Sequence, residues 1–312
     1  MALDLSYTSS PSLERAILET LAYSDIFDYP LTLDELHRYL PVSIAKTALR
    51  NSVPQSLLCD FPQPSGSSTE IFYSLPNRSS IVELRLERDA ASRPAFRRAL
   101  SYGRILGLLP FVRMVAMTGS LAMLNLSKNA DMDFMLITVP NRLWIARAFA
   151  VTFGRLMRLV GDRICVNLLV SENALEWPRH DLYSAREMGQ MIPIVGPGMY
   201  RQLREANPWT DEFLPNAVST PTLTPENIRE TGSLGQRVLE AIFSGRFGGW
   251  LDDAVMKFQL RKITRKYGNG AEANFTPDVC QGNFHDHRKW AGEFFRERLI
   301  SLGLEPGEGV AQ

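Results

Sequence analysis

Two short apolar runs joined by a glycine–serine turn restrict the fold of this chain more than any other feature of its sequence. Residues 112–117 are nearly all apolar, and after a single threonine they are followed by Gly119 and Ser120. A short stretch of helical character and a polar loop come next, and residues 131–138 form a second apolar run that opens with two aspartates. This order predicts a buried strand, a tight turn, a short helix, a loop and a second strand.

The two aspartates of the second run are placed to act together. Asp131 and Asp133 are two residues apart, so on a strand their side chains point to the same face, while Met132 and Phe134 turn to the other face and into the core. Two carboxylates side by side repel strongly unless a cation lies between them. The spacing therefore predicts a cation site at the start of this strand.

The combination Gly119-Ser120, ten residues, then Asp131-Met132-Asp133 resembles the signature of the nucleotidyltransferase superfamily, which includes DNA polymerase β and the CCA-adding enzymes. The resemblance covers residues 112–172. It implies that Gly119 and Ser120 bind the triphosphate of a nucleoside triphosphate (NTP), and that Asp131 and Asp133 hold two Mg²⁺ ions. These roles suit the residue types, because glycine lets the backbone approach a phosphate and carboxylates are the oxygen ligands that Mg²⁺ takes.

One position departs from the family pattern. Members commonly carry a third carboxylate on a later strand, and the predicted strand 163–170 has Asn167 at the expected place. We count Asn167 as a candidate catalytic residue, although an amide brings no charge and cannot act as a base. If the alignment is right, Asn167 faces the same cleft as the aspartates, with Cys165 and Leu169 on its side of the strand. Asp162 and Glu172 flank the strand as substitutes, although solvated charge is the favoured reading of both.

The first part of the chain has the element order of a winged helix. Three helices are predicted within residues 12–53, the second of them opened by a capping box of Thr32 and Glu35, and a β-like run follows at residues 70–75. The segment resembles that broad class, in which the third helix reads DNA. DNA or RNA binding is the less favoured alternative here, because that helix offers few cations, among them Lys46 and Arg50.

The pattern along the chain divides it into four parts. These are a winged-helix-like module at 1–77, connecting helices at 78–111, the nucleotidyltransferase core at 112–180 and a helical C-terminal region at 181–312. The connecting part is charged and helical, and Pro94 is expected to break it in two.

Several further residues have both a structural and a functional reading. Arg142 is a minority candidate for a phosphate contact, and Arg186 with Glu187 is expected to pair at the surface rather than contact substrate. A zinc site at His285 and His287 is not favoured, because no cysteine or acidic cluster completes it. A basic stripe lies on a predicted helix near the end of the chain, and a solvated face is its favoured reading; its residues are Lys257, Arg261 and Arg265.

The composition restricts the class of protein to which this chain can belong. The net charge is zero, so the chain as a whole is no polyanion binder, and its three cysteines lack the spacing of a disulfide framework or a zinc ribbon. There is no secretory leader at residues 1–10 and no uninterrupted apolar stretch of membrane-spanning length. We expect a cytoplasmic protein that does not enter membranes.

Together these features predict an α/β (α+β) protein with a mixed-sheet nucleotidyltransferase core of the polymerase-β type. The predicted function is Mg²⁺-dependent transfer of a nucleoside monophosphate from NTP to a hydroxyl acceptor that the sequence does not identify. The alternative is a catalytically weak nucleotide-binding or DNA-associated regulatory protein on the same fold, which the asparagine at position 167 favours.

Overall fold

The computed structural model describes residues 12–62, 69–127, 131–217, 231–267, 273–282 and 287–305. These residues form two compact units. The first, which we call the N-terminal unit, comprises described residues within 12–85, 211–217 and 291–305. The second, the sheet unit, comprises described residues within 86–210 and 231–290. Helices and a mixed six-stranded sheet together make this a protein of the general α/β class.

The N-terminal unit begins with three helices and a hairpin. Ser12 caps the first helix, and the predicted capping box of Thr32 and Glu35 is confirmed, with the side chain of each bonded to the backbone N–H of the other. The two strands of the hairpin pair antiparallel. In chain order the elements are α1 Leu13–Asp25, α2 Leu33–Tyr39, α3 Lys46–Ser52, β1 Leu58–Pro62 and β2 Thr69–Tyr73.

The next element is one long helix, α4, Ser80–Leu106, which contains Pro94. The break expected at Pro94 is wrong. Proline removes only one backbone hydrogen bond from a helix, and two residues that follow it, Ala95 and Ala99, are buried in the core of the sheet unit. Burial of that face offsets the lost bond, so the helix continues through the proline.

Six strands form the sheet of the second unit, in the order β6-β3-β4-β5-β8-β7. The central pair, β4 and β5, is parallel, and every other neighbouring pair is antiparallel, so the sheet is mixed. The strands are β3 Val112–Thr118, β4 Met132–Thr138, β5 Ile164–Ser171, β6 Ile192–Val195, β7 Asn274–Phe275 and β8 Val279–Gln281.

The stretch 181–312, predicted as a helical C-terminal region, contains helices and also the strands β6, β7 and β8, which join the sheet. A boundary at residue 180 therefore separates strands of a single sheet. These strands are two to four residues long, too short for a period of two to be visible in the sequence. Pro193 makes β6 still harder to recognise in the sequence, because proline is uncommon within strands. It is tolerated there because β6 is an edge strand.

Apolar side chains cover both faces of the sheet. On one face Phe134, Leu136 and Leu169 pack in a cluster with residues of α4 and α6, including the fully buried Trp144. On the other face, which we call the α7 face, Met135 and other strand residues pack against α7 and α8. The remaining helices are α5 Gly119–Ala122, α6 Leu143–Arg158, α7 Leu182–Gln190, α8 Pro197–Glu205, α9 Thr210–Phe213, α10 Leu234–Ile242, α11 Gly245–Tyr267 and α12 His287–Ser301.

In the part of the chain that the structure describes, no helix has the length and apolar character needed to cross a bilayer.

Candidate active site

Gly119 lies where β3 ends, and two observations explain why a glycine is needed there. Its φ is +66°, a left-handed conformation that residues with a side chain rarely adopt. A Cβ atom at this position would also lie 2.7 Å from Oδ2 of Asp133, closer than real Cβ contacts come. The glycine–serine turn and the second aspartate are therefore packed directly against each other, which the sequence motif alone does not establish.

The two aspartates lie at the start of β4. Asp131 immediately precedes the strand, which begins at Met132, and Asp133 lies within it opposite Thr118 of β3. Asp131 forms an ion pair with Arg163, with 3.4 Å between Oδ1 and Nε. Both side chains of that pair are about 40% exposed, so the pair is screened by water and holds Asp131 only weakly.

Asn167 reaches the same place through an irregularity in β5. Phe134 is opposite Val166, but Met135 is opposite Leu168, so Asn167 is an extra residue in a β-bulge. Its Nδ2 donates to Oδ1 of Asp133 at 3.3 Å. Asn167 is thus in contact with Asp133, and its catalytic role stays a prediction.

The bulge corrects one expectation from the sequence. Simple alternation along the strand predicts that Leu169 lies on the same face as Asn167. In the structure Leu169 packs on the other face of the sheet, with Phe134 and Leu136. The extra residue shifts the alternation by one, so Leu168 and Val170 follow Asn167 on the α7 face. Alternation therefore holds only up to the bulge.

The electrostatics of the site depend on Asp133. Burial, together with the nearby charge of Asp131, raises the pKa of Asp133 from 3.8 to about 7. Burial and the charges of the same two aspartates raise the pKa of the Cys165 thiol to about 12. Cys165 is therefore protonated at neutral pH and is not a nucleophile, whereas Asp133 is partly ionised there and pairs with no cation among the described residues.

Glu187 of α7 is a residue of this site that the sequence assigned to the surface. Burial, with the nearby charge of Asp133, raises the pKa of Glu187 to about 7, which places the two carboxyl groups within electrostatic range. Gln190 donates to its Oε1 at 2.6 Å, and among the described residues no cation pairs with it. A signal was present in the sequence, because Glu187 lies three residues after Ser184 and four before Met191 on the inward stripe of the helix.

A cavity of about 560 Å³ adjoins these residues. Thr118, Asn167 and Glu187 line the end of it that meets the aspartate pair. The rest of its wall comes from β5, from the chain between β5 and α7, from α7 and Met191, from β7 and β8, and from the start of α12. That volume is within the range of sites for small molecules.

The substitutes considered for the third carboxylate have other partners. Arg98 and the hydroxyl of Tyr102 donate to Asp162, with the arginine at 2.9 Å, and Asp162 is buried rather than solvated. Glu172 lies 3.9 Å from Arg113. Neither residue lines the cavity.

The phosphate role considered for Arg142 is not supported. Its guanidinium donates to the backbone carbonyls of Phe243 and Gly245, at 3.0 and 2.9 Å. Arg142 is thereby engaged in holding the segment between α10 and α11. Its place in the fold accounts for this arginine without a ligand.

The basic residues named for nucleic-acid contact lie on exposed surfaces. In the N-terminal unit, Arg50 is exposed and Lys46 pairs with Asp34 at 2.7 Å. The residues of the stripe on α11 are also exposed, and any role in binding a polynucleotide stays a prediction. His287 is the first residue of α12 and lines the cavity, whereas His285 lies outside the described residues.

The donor set fits Mg²⁺ rather than a transition metal. Within the described ranges no three His, Cys, Asp or Glu side chains converge closely enough for a site built from protein alone. Mg²⁺ is usually held by one or two carboxylates together with phosphate oxygens and water, so Asp131 and Asp133 suffice when a phosphate completes the set. The uncompensated charge of Asp133 is what a cation would neutralise.

The raised pKa of Asp133 predicts that the metal-free protein loses stability as the pH rises. With a folded-state pKa of about 7 and an ordinary value of 3.8, the folded chain binds more protons than the unfolded chain between those values, so stability falls across that interval. From pH 5 to pH 8 in EDTA, we expect Asp133 to lower the free energy of unfolding by about 2–3 kcal/mol. Asp133→Asn should remove this part of the pH dependence and leave the part that comes from Glu187, whose pKa is also raised to about 7.

Urea unfolding of both proteins at several pH values in this interval measures the effect. Glu35, Asp162 and Glu240 have lowered pKa values, so their contributions change below their ordinary pKa values of 4.5, 3.8 and 4.5, whereas Glu187 titrates within this window and contributes to both curves. If the free energy of unfolding changed with pH equally in the wild type and the variant, ionisation of Asp133 would have no effect on stability.

The chain matches no protein-family model, no curated protein and no solved structure. We therefore infer its function from the residues of the site and from the motif that they form.

Proposed function

We propose that this chain is a Mg²⁺-dependent nucleotidyltransferase of the polymerase-β type, which transfers a nucleoside monophosphate from NTP to a hydroxyl group. The observation that carries the proposal is the contact between the turn and the aspartates: a Cβ at Gly119 would lie 2.7 Å from a carboxylate oxygen of Asp133. A phosphate chain on the turn would therefore lie beside the carboxylates. That proximity is what a metal shared by carboxylates and phosphates requires.

Asp131 and Asp133 are the residues that would hold Mg²⁺. Bound there, the metal supplies positive charge that stabilises the attacking and leaving oxygens of an in-line displacement at phosphorus. The protein contributes the two carboxylates at fixed spacing on one strand. The pair of Asp131 with Arg163 is half exposed, so exchange of the guanidinium for a metal costs little.

Gly119 and Ser120 are the residues that would hold the phosphates. Helix α5 has a single turn, so its dipole is small and anion binding would depend on the backbone N–H groups of the turn and on the Ser120 hydroxyl. The left-handed conformation of Gly119 keeps this turn open to an approaching oxygen atom.

One residue, Asn167, supports a second candidate function. Asn167, in contact with Asp133, has no charge and accepts no proton, so a protein with this asparagine would bind nucleotide and transfer it poorly if nothing else supplied a base. That protein would be a nucleotide-binding or DNA-associated regulatory module. It differs from the enzyme in one measurable respect, the release of pyrophosphate.

Binding of nucleotide is expected to require Mg²⁺ and to stabilise the protein. At a free concentration one hundred times its Kd, an NTP raises the free energy of unfolding by about 2.7 kcal/mol. We expect the melting temperature to rise by several degrees with Mg²⁺ and the preferred NTP, and not with NTP in EDTA. Thermal melts with ATP, GTP, CTP and UTP, each with and without Mg²⁺, measure this, and pyrophosphate release is followed in the same mixtures after addition of a cell extract that supplies hydroxyl acceptors.

The result separates the two functions. Mg²⁺-dependent stabilisation with pyrophosphate release supports the enzyme, and stabilisation without release supports the regulatory module. If no NTP stabilises the protein at any Mg²⁺ concentration, both proposals fail.

A further inference from the structure

The candidate active site contains a carboxylate that neither the sequence motif nor the proposed function uses. Glu187 lines the cavity together with Asn167 and Thr118, on the α7 face of the sheet. Its hydrogen bond from Gln190, one turn later on the same helix, fixes one carboxylate oxygen. In the described part of the chain no lysine, arginine or histidine neutralises it. Burial of an acid without a cationic partner costs stability, so such a residue needs a reason.

The order of the strands gives the site two sides. The glycine–serine turn ends β3, the aspartates begin β4, and the cavity lies beyond them along β5, β8 and β7. In transfer at phosphorus the attacking oxygen and the leaving oxygen lie roughly in line on opposite sides of the phosphorus atom. A triphosphate on the turn puts the leaving pyrophosphate on the β3 side, so the attacking hydroxyl must come from the side of the cavity.

We propose that the cavity binds the acceptor, a small hydroxyl compound with an apolar portion, and that Glu187 is the catalytic residue that accepts the proton of its hydroxyl group. This inference rests on the proposed function. The oxygen of the acceptor forms a bond to the α-phosphorus of the NTP as the bond from that phosphorus to the pyrophosphate oxygen breaks. The electron pair of the broken bond leaves with pyrophosphate, and the hydroxyl proton passes to the Glu187 carboxylate.

The walls of the cavity define the class of acceptor. Trp177, Leu168, Val170 and Met191 form an apolar part of the lining, which suits an aromatic or aliphatic portion of a small molecule. Arg179, His287 and Arg288 also line the cavity and make the rest of its wall polar. The volume of about 560 Å³ accommodates a small molecule and is too small for a folded macromolecule. A macromolecular acceptor would have to insert an end or a single side chain.

The position of Asn167 explains why the base would come from a helix. On the bulge of β5 the asparagine donates to Asp133, so it orients that aspartate and accepts no proton. Glu187 lines the same cavity from α7 and lies within electrostatic range of Asp133. The carboxylate missing from the strand is thereby supplied by α7, and the asparagine is compatible with catalysis.

The test compares Glu187→Gln with wild type, with labelled NTP, Mg²⁺ and the dialysable fraction of a cell extract as the source of the acceptor. Glutamine keeps the shape and an acceptor for Gln190, so nucleotide affinity should be unchanged, whereas pyrophosphate release should fall by at least about 100-fold. Asn167→Asp in the Glu187→Gln background should restore the rate by about tenfold or more, because it returns a carboxylate to the same end of the cavity. A merely structural role of Glu187 would not be rescued in this way.

The outcomes are distinct from failure of the proposed function. Wild-type protein that binds no Mg²⁺-nucleotide refutes the nucleotidyltransferase itself. Pyrophosphate release by wild type that persists in Glu187→Gln refutes the role of Glu187 alone, and binding without any release by wild type also overturns it. If Glu187→Gln fails to fold, Glu187→Asp, which withdraws the carboxylate by one methylene, carries the test and should lower the rate with affinity intact.

A second measurement tests the acceptor class. Wild type is incubated with labelled NTP and either the dialysable or the macromolecular fraction of a cell extract, and label should enter a product only in the dialysable fraction. Ala174→Phe, which fills part of the cavity, should abolish that product while nucleotide affinity remains. Label in the macromolecular fraction would overturn the small-molecule acceptor, and loss of nucleotide affinity in Ala174→Phe would mean that the cavity holds the nucleotide instead.

Discussion

Replacing both Asp131 and Asp133 with asparagine should abolish Mg²⁺-dependent nucleotide binding, with a loss of affinity of at least about 100-fold. The two carboxylates are the metal ligands of the proposed site, and an amide brings no charge to hold a divalent cation. The fold should not suffer, because Asp133 carries an uncompensated charge and Asp131 has only a half-exposed ion pair with Arg163. The metal-free double variant should melt no lower than wild type at pH 8.

Isothermal titration with Mg²⁺ and the preferred NTP measures the affinity, and a thermal melt in EDTA measures the stability. Glu172→Gln is a matched control, since it removes a carboxylate at the far end of β5 that neither lines the cavity nor contacts the aspartates. The control should bind nucleotide as wild type does. Unchanged affinity in a folded Asp131→Asn/Asp133→Asn variant would refute the assignment of the site.

Removal of Arg85 should destabilise the N-terminal unit by about 3–5 kcal/mol, because it leaves a buried carboxylate without its cation. Glu35 is 6% exposed and accepts from both terminal nitrogens of Arg85, at 2.7 and 3.0 Å. Burial alone would raise the pKa of Glu35, and the charge and hydrogen bonds of Arg85, with bonds from Thr32 and Tyr29, more than offset this and hold the pKa below its usual value. Arg85 also lies over the ring of Tyr29, with 4.2 Å from its central carbon to the ring centroid.

Arg85→Met preserves most of the side-chain volume and therefore isolates the loss of charge. Hydrogen exchange followed by peptide suits the measurement, because a chain of two compact units need not unfold in one step. Peptides from α2 and β2 should lose protection, and peptides from β4 serve as an internal reference. In Arg85→Met/Glu35→Gln the loss should be smaller than the sum of the single changes, and additive losses would show that the pair is not coupled.

Local signals in the sequence predicted the local structure well. The capping box of Thr32 and Glu35 depends on two residues three apart, and it forms as predicted. The strands β3, β4 and β5 were located to within one residue, because each is a run of seven or eight residues with a strong apolar bias. Features that a few neighbouring residues determine could thus be read directly.

Features that depend on distant contacts could not. The strands β6, β7 and β8 are too short to show a period and exist because the sheet offers them edges to pair with. The helix α4 continues through Pro94 because its alanines are buried in a core assembled from other elements. In each case tertiary packing determined the secondary structure, because the local sequence either gave no signal or favoured a different structure.

The residues of the candidate site show the same difference between features set by neighbouring residues and features set by distant contacts. Asp131, Asp133, Gly119 and Ser120 form a motif with fixed spacing, so the sequence named them together, and the structure adds the contact of Gly119 with Asp133. Glu187 is far from them along the chain and reaches them only through the packing of α7 on the sheet. Its inward position on the helix was visible, but its neighbour across the cavity was not.

The bulge in β5 has a consequence for how this strand can change over evolution. Before it, Cys165 and Asn167 face the aspartates, and after it, Leu168 and Val170 pack beneath α7 on the same face. The extra residue uncouples the two halves, so position 167 can exchange an amide for an acid without altering the alternation that the packed half requires. Gain or loss of a charge beside Asp133 is in this sense a one-codon event. Even deletion of Asn167 would leave Val166 and Leu168 as consecutive residues opposite Phe134 and Met135, so the packed half would keep its faces while the site lost a side chain.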